Sequence, residues 1–178
     1  MPSVPPPSDW RSLPTVTAAV GKQRGRVGFL TGCAQRFLLP HLNHATVRVL
    51  TAAGYQVVTP AEQGCCGALH LHGGDPAEAR RLAKALIATF ERDAVDFVVV
   101  NAAGCGAAMK EYGHLLAGEA EWHDRAEAFS AKVRDVSEAG FVGFHILYPG
   151  GGPLPGMFLV YARRGSRATR RSSYARGS

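Results

Sequence analysis

The chain has 178 residues, 46% hydrophobic and 19% charged, the make-up of a soluble globular protein of one domain or slightly more. No run approaches the roughly 20 apolar residues a bilayer-crossing helix needs. The net charge of +6 comes from residues 140–178, which hold six arginines and no acid. The rest is neutral, which gives no electrostatic case for a nucleic-acid partner.

The N-terminus, Met1-Pro2-Ser3-Val4-Pro5-Pro6-Pro7, lacks the basic start and apolar stretch of an export signal, and residues 1–24 read as a flexible leader. A buried strand is expected over 26–31 (RVGFLT). A helix should follow over 36–53, with an apolar stripe at 38, 39, 42, 45, 49 and 53 and Pro40 in its first turn. Residues 55–59 (YQVVT) read as a second strand ended by Pro60. Asp75 and Pro76 are in order for an N-cap and first helical residue, opening a helix to about residue 92. Residues 96–101 (DFVVVN) read as a third strand, apolar enough to be covered on both faces. Helices are expected over 105–116 and 122–136, with Met109, Tyr112 and Leu116 as core and Lys110-Glu111 on a solvated face. Strands alternating with helices predict an α/β fold: a small parallel sheet with flanking helices, Rossmann-like, with right-handed crossovers. After it comes a Gly/Pro/Arg-rich tail over 139–178, read as disordered or frameshifted.

The four cysteines all lie beside glycine, in Gly32-Cys33, Gly64-Cys65-Cys66-Gly67 and Gly104-Cys105-Gly106. Glycine permits φ > 0 and close approach of the backbone to a bulky group. Each cysteine segment follows an expected strand, and sites in open parallel sheets form outside the carboxyl ends of the strands. Three loops could therefore bring four thiolates to one point. Without an export signal, a reducing cytoplasmic setting fits better than two disulfides. Four thiolates suit tetrahedral zinc or an iron–sulfur cluster. No C-x₂₋₄-C knuckle exists, and adjacent Cys65 and Cys66 strain a single-metal tetrahedron, so the ligand chemistry favours iron–sulfur, with zinc as the alternative.

These segments resemble the cysteine-rich CCG domain, specifically that of the iron–sulfur subunit of bacterial glycolate oxidase. The likeness rests on Gly64-Cys65-Cys66-Gly67-Ala68-Leu69, on Leu30-Thr31-Gly32-Cys33-Ala34-Gln35, on Asn43-His44-Ala45-Thr46-Val47-Arg48-Val49-Leu50, and on residues 101–113. It covers about residues 25–138. It implies that Cys33, Cys65, Cys66 and Cys105 bind a cluster of the 4Fe-4S type. The chain would pass electrons from a flavin-containing subunit oxidising glycolate, or a similar 2-hydroxy acid, toward an acceptor that could be membrane-associated. Its place would then be cytoplasmic, or peripheral at the inner membrane face.

Departures from the family pattern are equally plain. The CCG repeat occurs once rather than twice, the family's C-x-x-C is here Ala102-x-x-Cys105, and no ferredoxin-like C-x₂-C-x₂-C-x₃-C-P run is present. The abrupt change after Val136-Ser137-Glu138 is that expected of a fragment or frameshift. His70 and His72 follow the CCG turn at period-two spacing; exposed loop histidines are the plainer reading, with His72 the better choice for a functional one. Gly32, Gly64, Gly67, Gly104 and Asn101 are expected to shape the cysteine loops. The chain offers no catalytic residues of its own. Two competing readings stand beside an electron-transfer subunit: a zinc-stabilised assembly module without redox function, and a non-functional truncation product.

Overall fold

Residues 12–139 are described by a computed structural model; residues 1–11 of the expected leader and the tail from residue 140 lie outside them. Five strands form one sheet: β1 (Val16–Thr17), β2 (Gly25–Leu30), β3 (Tyr55–Val58), β4 (Phe97–Val100) and β5 (Val133–Asp135). Their order is β1-β3-β2-β4-β5. The last four are parallel and β1 runs antiparallel to β3. The expected α/β class and parallel core are what the molecule has. Part of the leader is not loose chain, because Val16 and Thr17 pair with Val58 and Val57 as an edge strand.

Alternation along the central strands fixes the two cores, since successive side chains point to opposite faces. Val27, Phe29, Val57 and Val99 pack with Val47 and Leu50 on one face. Leu30, Val58, Val98 and Val100 pack with Leu86, Ile87, Phe90, Met109, Tyr112, Leu116 and Phe129 on the other. Met109, Tyr112 and Leu116 are fully buried, as their spacing predicts.

The first face is covered by α2 (Pro40–Ala52), preceded by the single turn α1 (Gln35–Leu38). The expected continuous helix over 36–53 is broken at Leu39, which sits at φ −139°, ψ 54°. The residue before a proline is pushed out of the helical region, so Pro40 opens a new helix. The buried face of α2 is also displaced from the expected apolar stripe. Pro40, Asn43, Thr46, Val47, Leu50 and Thr51 face inward, while Leu38, Leu39, Leu42 and Val49 are exposed. Polar residues win that face because partners are waiting there, as shown below.

On the second face lie α3 (Ala68–His72), α4 (Pro76–Arg92), α5 (Ala103–Lys110), α6 (Tyr112–Leu115) and α7 (Ala120–Lys132). Asp75 caps α4 as expected, its Oδ1 accepting from Glu78 N at 3.0 Å. The segment expected to continue helically to 136 turns instead into β5, which pairs with β4. Among the described residues no helix is long and apolar enough to cross a membrane.

The connections place the site. The chain leaves β2 for β3 on one side, then returns across β2 to β4 on the other. The crevice between the carboxyl ends of β2 and β4 is thus the topological switch point, where open α/β sheets bind ligands. Cys33 follows β2 and Cys105 follows β4.

Candidate metal centre

Three loops bring the four thiols together. Cys33 lies in the turn between β2 and α1, Cys65 and Cys66 immediately before α3, and Cys105 in the first turn of α5. The Cys33 thiol donates to Cys65 Sγ at 3.4 Å, and the Cys66 thiol is hydrogen-bonded to Cys105. Cys66 is buried and the other three are half-buried. Among the described residues no three His, Cys, Asp or Glu side chains are gathered as ligands around one metal ion; the sulfurs are linked in a row, Cys33 to Cys65, Cys65 to Cys66 and Cys66 to Cys105.

The backbone addresses these sulfurs directly. Gly67 N–H donates to Cys65 Sγ at 3.4 Å, and the N–H groups of Ala34 and Ala68 donate to Cys33 and Cys66. Such donors are the unpaired first-turn amides of helix starts, and they stabilise negative charge on sulfur. Gly67 is the residue that turns its amide inward. It takes φ +80°, and a Cβ there would meet the Ala79 backbone at 3.1 Å.

Cys66 and Cys105 differ in how readily they give up a proton. The hydrogen bond to Cys105 and burial both push the Cys66 thiol well above its ordinary value. The same bond lowers that of Cys105 against the opposing effect of burial. Cys66 is therefore the donor and Cys105 the readier thiolate. Burial, the bond to Cys65 and the neighbouring thiolate charges raise Cys33. Burial first and then the charges of Cys66, Cys65 and Cys105 raise Tyr112, whose hydroxyl donates to the Cys66 carbonyl at 2.6 Å. Four thiolates cannot coexist here without a compensating positive charge, which is the electrostatic demand a bound metal meets.

The supporting glycines divide into two kinds. Gly32 and Gly67 take positive φ, as expected of turn glycines. Gly64 and Gly104 do not; a Cβ at either would meet no protein atom within 4 Å. Their lack of a side chain leaves open space beside Cys65 and Cys105. His70 and His72 are not loop residues, since both are exposed on α3, and His70 lies within electrostatic reach of Glu78. Asn101 lies at the head of α5, where Gln35 Nε2 donates to its Oδ1 at 2.6 Å.

Sequence reasoning missed Gln35, Asn43, Thr46 and Gln63. Gln63, buried just before the glycine-cysteine turn, accepts from Thr31 N at 2.8 Å and donates to Phe29 O and Pro60 O. Asn43 accepts from Gln35 and Asn101 and donates to Thr31 O. The available signal was a break in apolar periodicity, with Asn and Thr at inward helical positions 43 and 46.

Residues 27–110 match the CCG cysteine-rich domain family. A probable glycolate oxidase iron-sulfur subunit of Bacillus subtilis is 43% identical over 137 residues, which cover 77% of this chain and 31% of that protein. The glycolate oxidase iron-sulfur subunit of Escherichia coli is 39% identical over 121 residues, 66% of this chain and 30% of that one. Lactate utilization protein A of an Exiguobacterium species is 33% identical over 112 residues, 63% and 46% respectively. The chain thus spans less than half the length of each. No solved structure matches it.

Proposed function

For a chain whose residues 27–110 form a cysteine-rich domain of the CCG family, we propose an electron-carrying role, with Cys33, Cys65, Cys66 and Cys105 as ligands of an iron–sulfur cluster. The observation that carries this reading is the meeting of four thiols from three loops at the sheet's switch point, with backbone N–H groups donating to the sulfurs. The donor set fits such a group: sulfur only, crowded enough to require positive charge, with open space beside Gly64 and Gly104. Hydrogen bonds to the ligating sulfurs and burial of the site are also what tune such clusters.

Bound there, a cluster of the 4Fe-4S type would supply one-electron transfer. This chain's own residues would hold it and shield it. Gly67, Ala68 and Ala34 would keep their N–H groups on sulfur, and the Tyr112 side of the core would exclude water beneath Cys66. By similarity to the glycolate oxidase iron-sulfur subunits, the electrons would come from a flavin-containing partner acting on glycolate or a related 2-hydroxy acid. The acceptor, soluble or at the membrane, would take them onward. The exposed leucines Leu38, Leu39 and Leu42, soon after the Cys33 turn, support a centre covered by another part of an assembly.

The test is iron and acid-labile sulfide content, with a visible spectrum, on protein purified and reconstituted without oxygen. Iron with equivalent sulfide and broad visible absorbance is the expected result, and Cys66→Ser should abolish it. Zinc without sulfide would replace this reading with a structural module. No metal after reconstitution would mean that the thiols hold none in this chain.

A further inference from the structure

We propose that Asn43, on α2 and without a thiol of its own, is the positioning residue that sets the Cys33 loop against the other two cysteine loops. Its amide is buried, 3% exposed, and both ends are used. Nδ2 donates to Thr31 O at 2.9 Å; Oδ1 accepts from Gln35 Nε2 at 3.0 Å and from Asn101 Nδ2 at 3.1 Å. Thr31 and Gln35 lie on either side of Gly32-Cys33-Ala34, so one side chain pins both ends of that loop. Asn101 begins the segment that carries Cys105, and it is fixed in turn by Thr46 Oγ1 at 2.9 Å.

The third loop joins through Thr31. Gln63 accepts from Thr31 N and Oγ1 at 2.8 and 3.2 Å, and the next residues are Gly64-Cys65-Cys66. The network is contiguous and every member is neutral. Neutrality suits the place, because a charged side chain behind four thiolates would act through a poorly screened interior. Amides also offer a donor and an acceptor on one planar group, which a carboxylate or an aliphatic side chain does not. This is why α2 turns Asn43 and Thr46 inward and leaves Leu42 outside.

The proposal concerns thiol placement, and it rests on the cluster reading only for its purpose. It is tested on the metal-free full chain in a glutathione redox buffer. Cys33 and Cys65 are oxidised to a disulfide while oxidised glutathione is reduced to two thiols, and peptide mass mapping gives the equilibrium. The ratio reports the effective concentration of one thiol at the other. Asn43→Leu, which loses all three bonds, and Asn43→Asp, which keeps the shape but loses the donor to Thr31, are each expected to lower it about tenfold. The core variant Leu86→Ala serves as the control for general destabilisation and should stay within about twofold. Wild-type values in both folded Asn43 variants would overturn the proposal, as would an equal fall in Leu86→Ala. If Asn43→Leu does not fold, Asn43→Asp and Asn43→Ser decide. Iron and sulfide measured on the wild type keep the two readings apart, since loss of the cluster reading leaves the thiol equilibrium intact.

Discussion

Tyr112 shows how much of the centre depends on single atoms. Its ring stacks on Phe129 at 5.7 Å between centroids while its hydroxyl satisfies the buried Cys66 carbonyl. Tyr112→Phe keeps the ring and strands that carbonyl, at a cost of about 1–3 kcal/mol; urea unfolding of the metal-free chain measures it, and no loss would mean that water replaces the hydroxyl. Gly67→Ala should cost at least as much in the same unfolding measurement, because it combines a strained φ with a Cβ pressed on the Ala79 backbone. The sequence made the four thiols and Tyr112's burial legible, since strand ends and helical spacing are local patterns. It could not disclose the hydroxyl's partner, 46 residues away, nor that Asn43, Gln63 and Asn101 would meet behind the cysteines. Those contacts exist only once the crossovers have closed.

At the level of elements, reading from sequence succeeded where a segment is long and its ends are chemically marked. Helix α4 is the clear case, with Asp75, Pro76 and a regular apolar face. Asp75→Ala removes the bond to Glu78 N and should cost about 1 kcal/mol, seen as a lower unfolding midpoint. Short elements were misread for physical reasons. Five residues with alternating histidines, Ala68–His72, imitate period two yet make one helical turn. Val133 continues the spacing of Ala126 and Phe129, so nothing local separated the three-residue β5 from the end of α7. Beyond β5, the helical turn over 136–139 is tied to α5 by Lys110 and Glu138 at 2.9 Å. Burial pushes the Glu138 carboxyl up, but the Lys110 ammonium, the Asp135 N–H and the Arg134 charge outweigh it and hold it below its usual range. A carboxyl lowered in the folded state stabilises above its unfolded value and ceases to as pH falls through its folded one. The stability gap between wild type and Glu138→Gln should therefore be under about 1 kcal/mol at neutral pH, the pair being half exposed. It should close as the pH drops below about 4; a gap that persists in acid would assign the effect to packing.

Over the whole molecule, the sheet edges and the apolar surface make different demands. A small, mostly parallel sheet invites edge-to-edge pairing, but among the described residues both edges are very short, two residues in β1 and three in β5. Short edge strands are a recognised protection against such pairing. The liability lies instead around the break between α1 and α2, where Leu38, Leu39 and Leu42 turn outward. Leu38, Leu39 and Leu42 are all more than 40% exposed and close together in the chain, the kind of apolar concentration that marks a contact surface. Leu42 is exposed for the same reason that Asn43 is buried: rotating α2 to bury it would pull the amide network away from the cysteine loops. Association of the isolated chain should therefore depend on this stretch. Sedimentation velocity over a concentration series should show wild-type self-association that Leu38→Gln with Leu42→Gln largely abolishes. Surface exchanges of this kind change stability by no more than about 0.5 kcal/mol, so the unfolding midpoint should hold while the sedimentation changes. If the double variant unfolds more easily and associates as before, these leucines support the fold and another surface is the adhesive one.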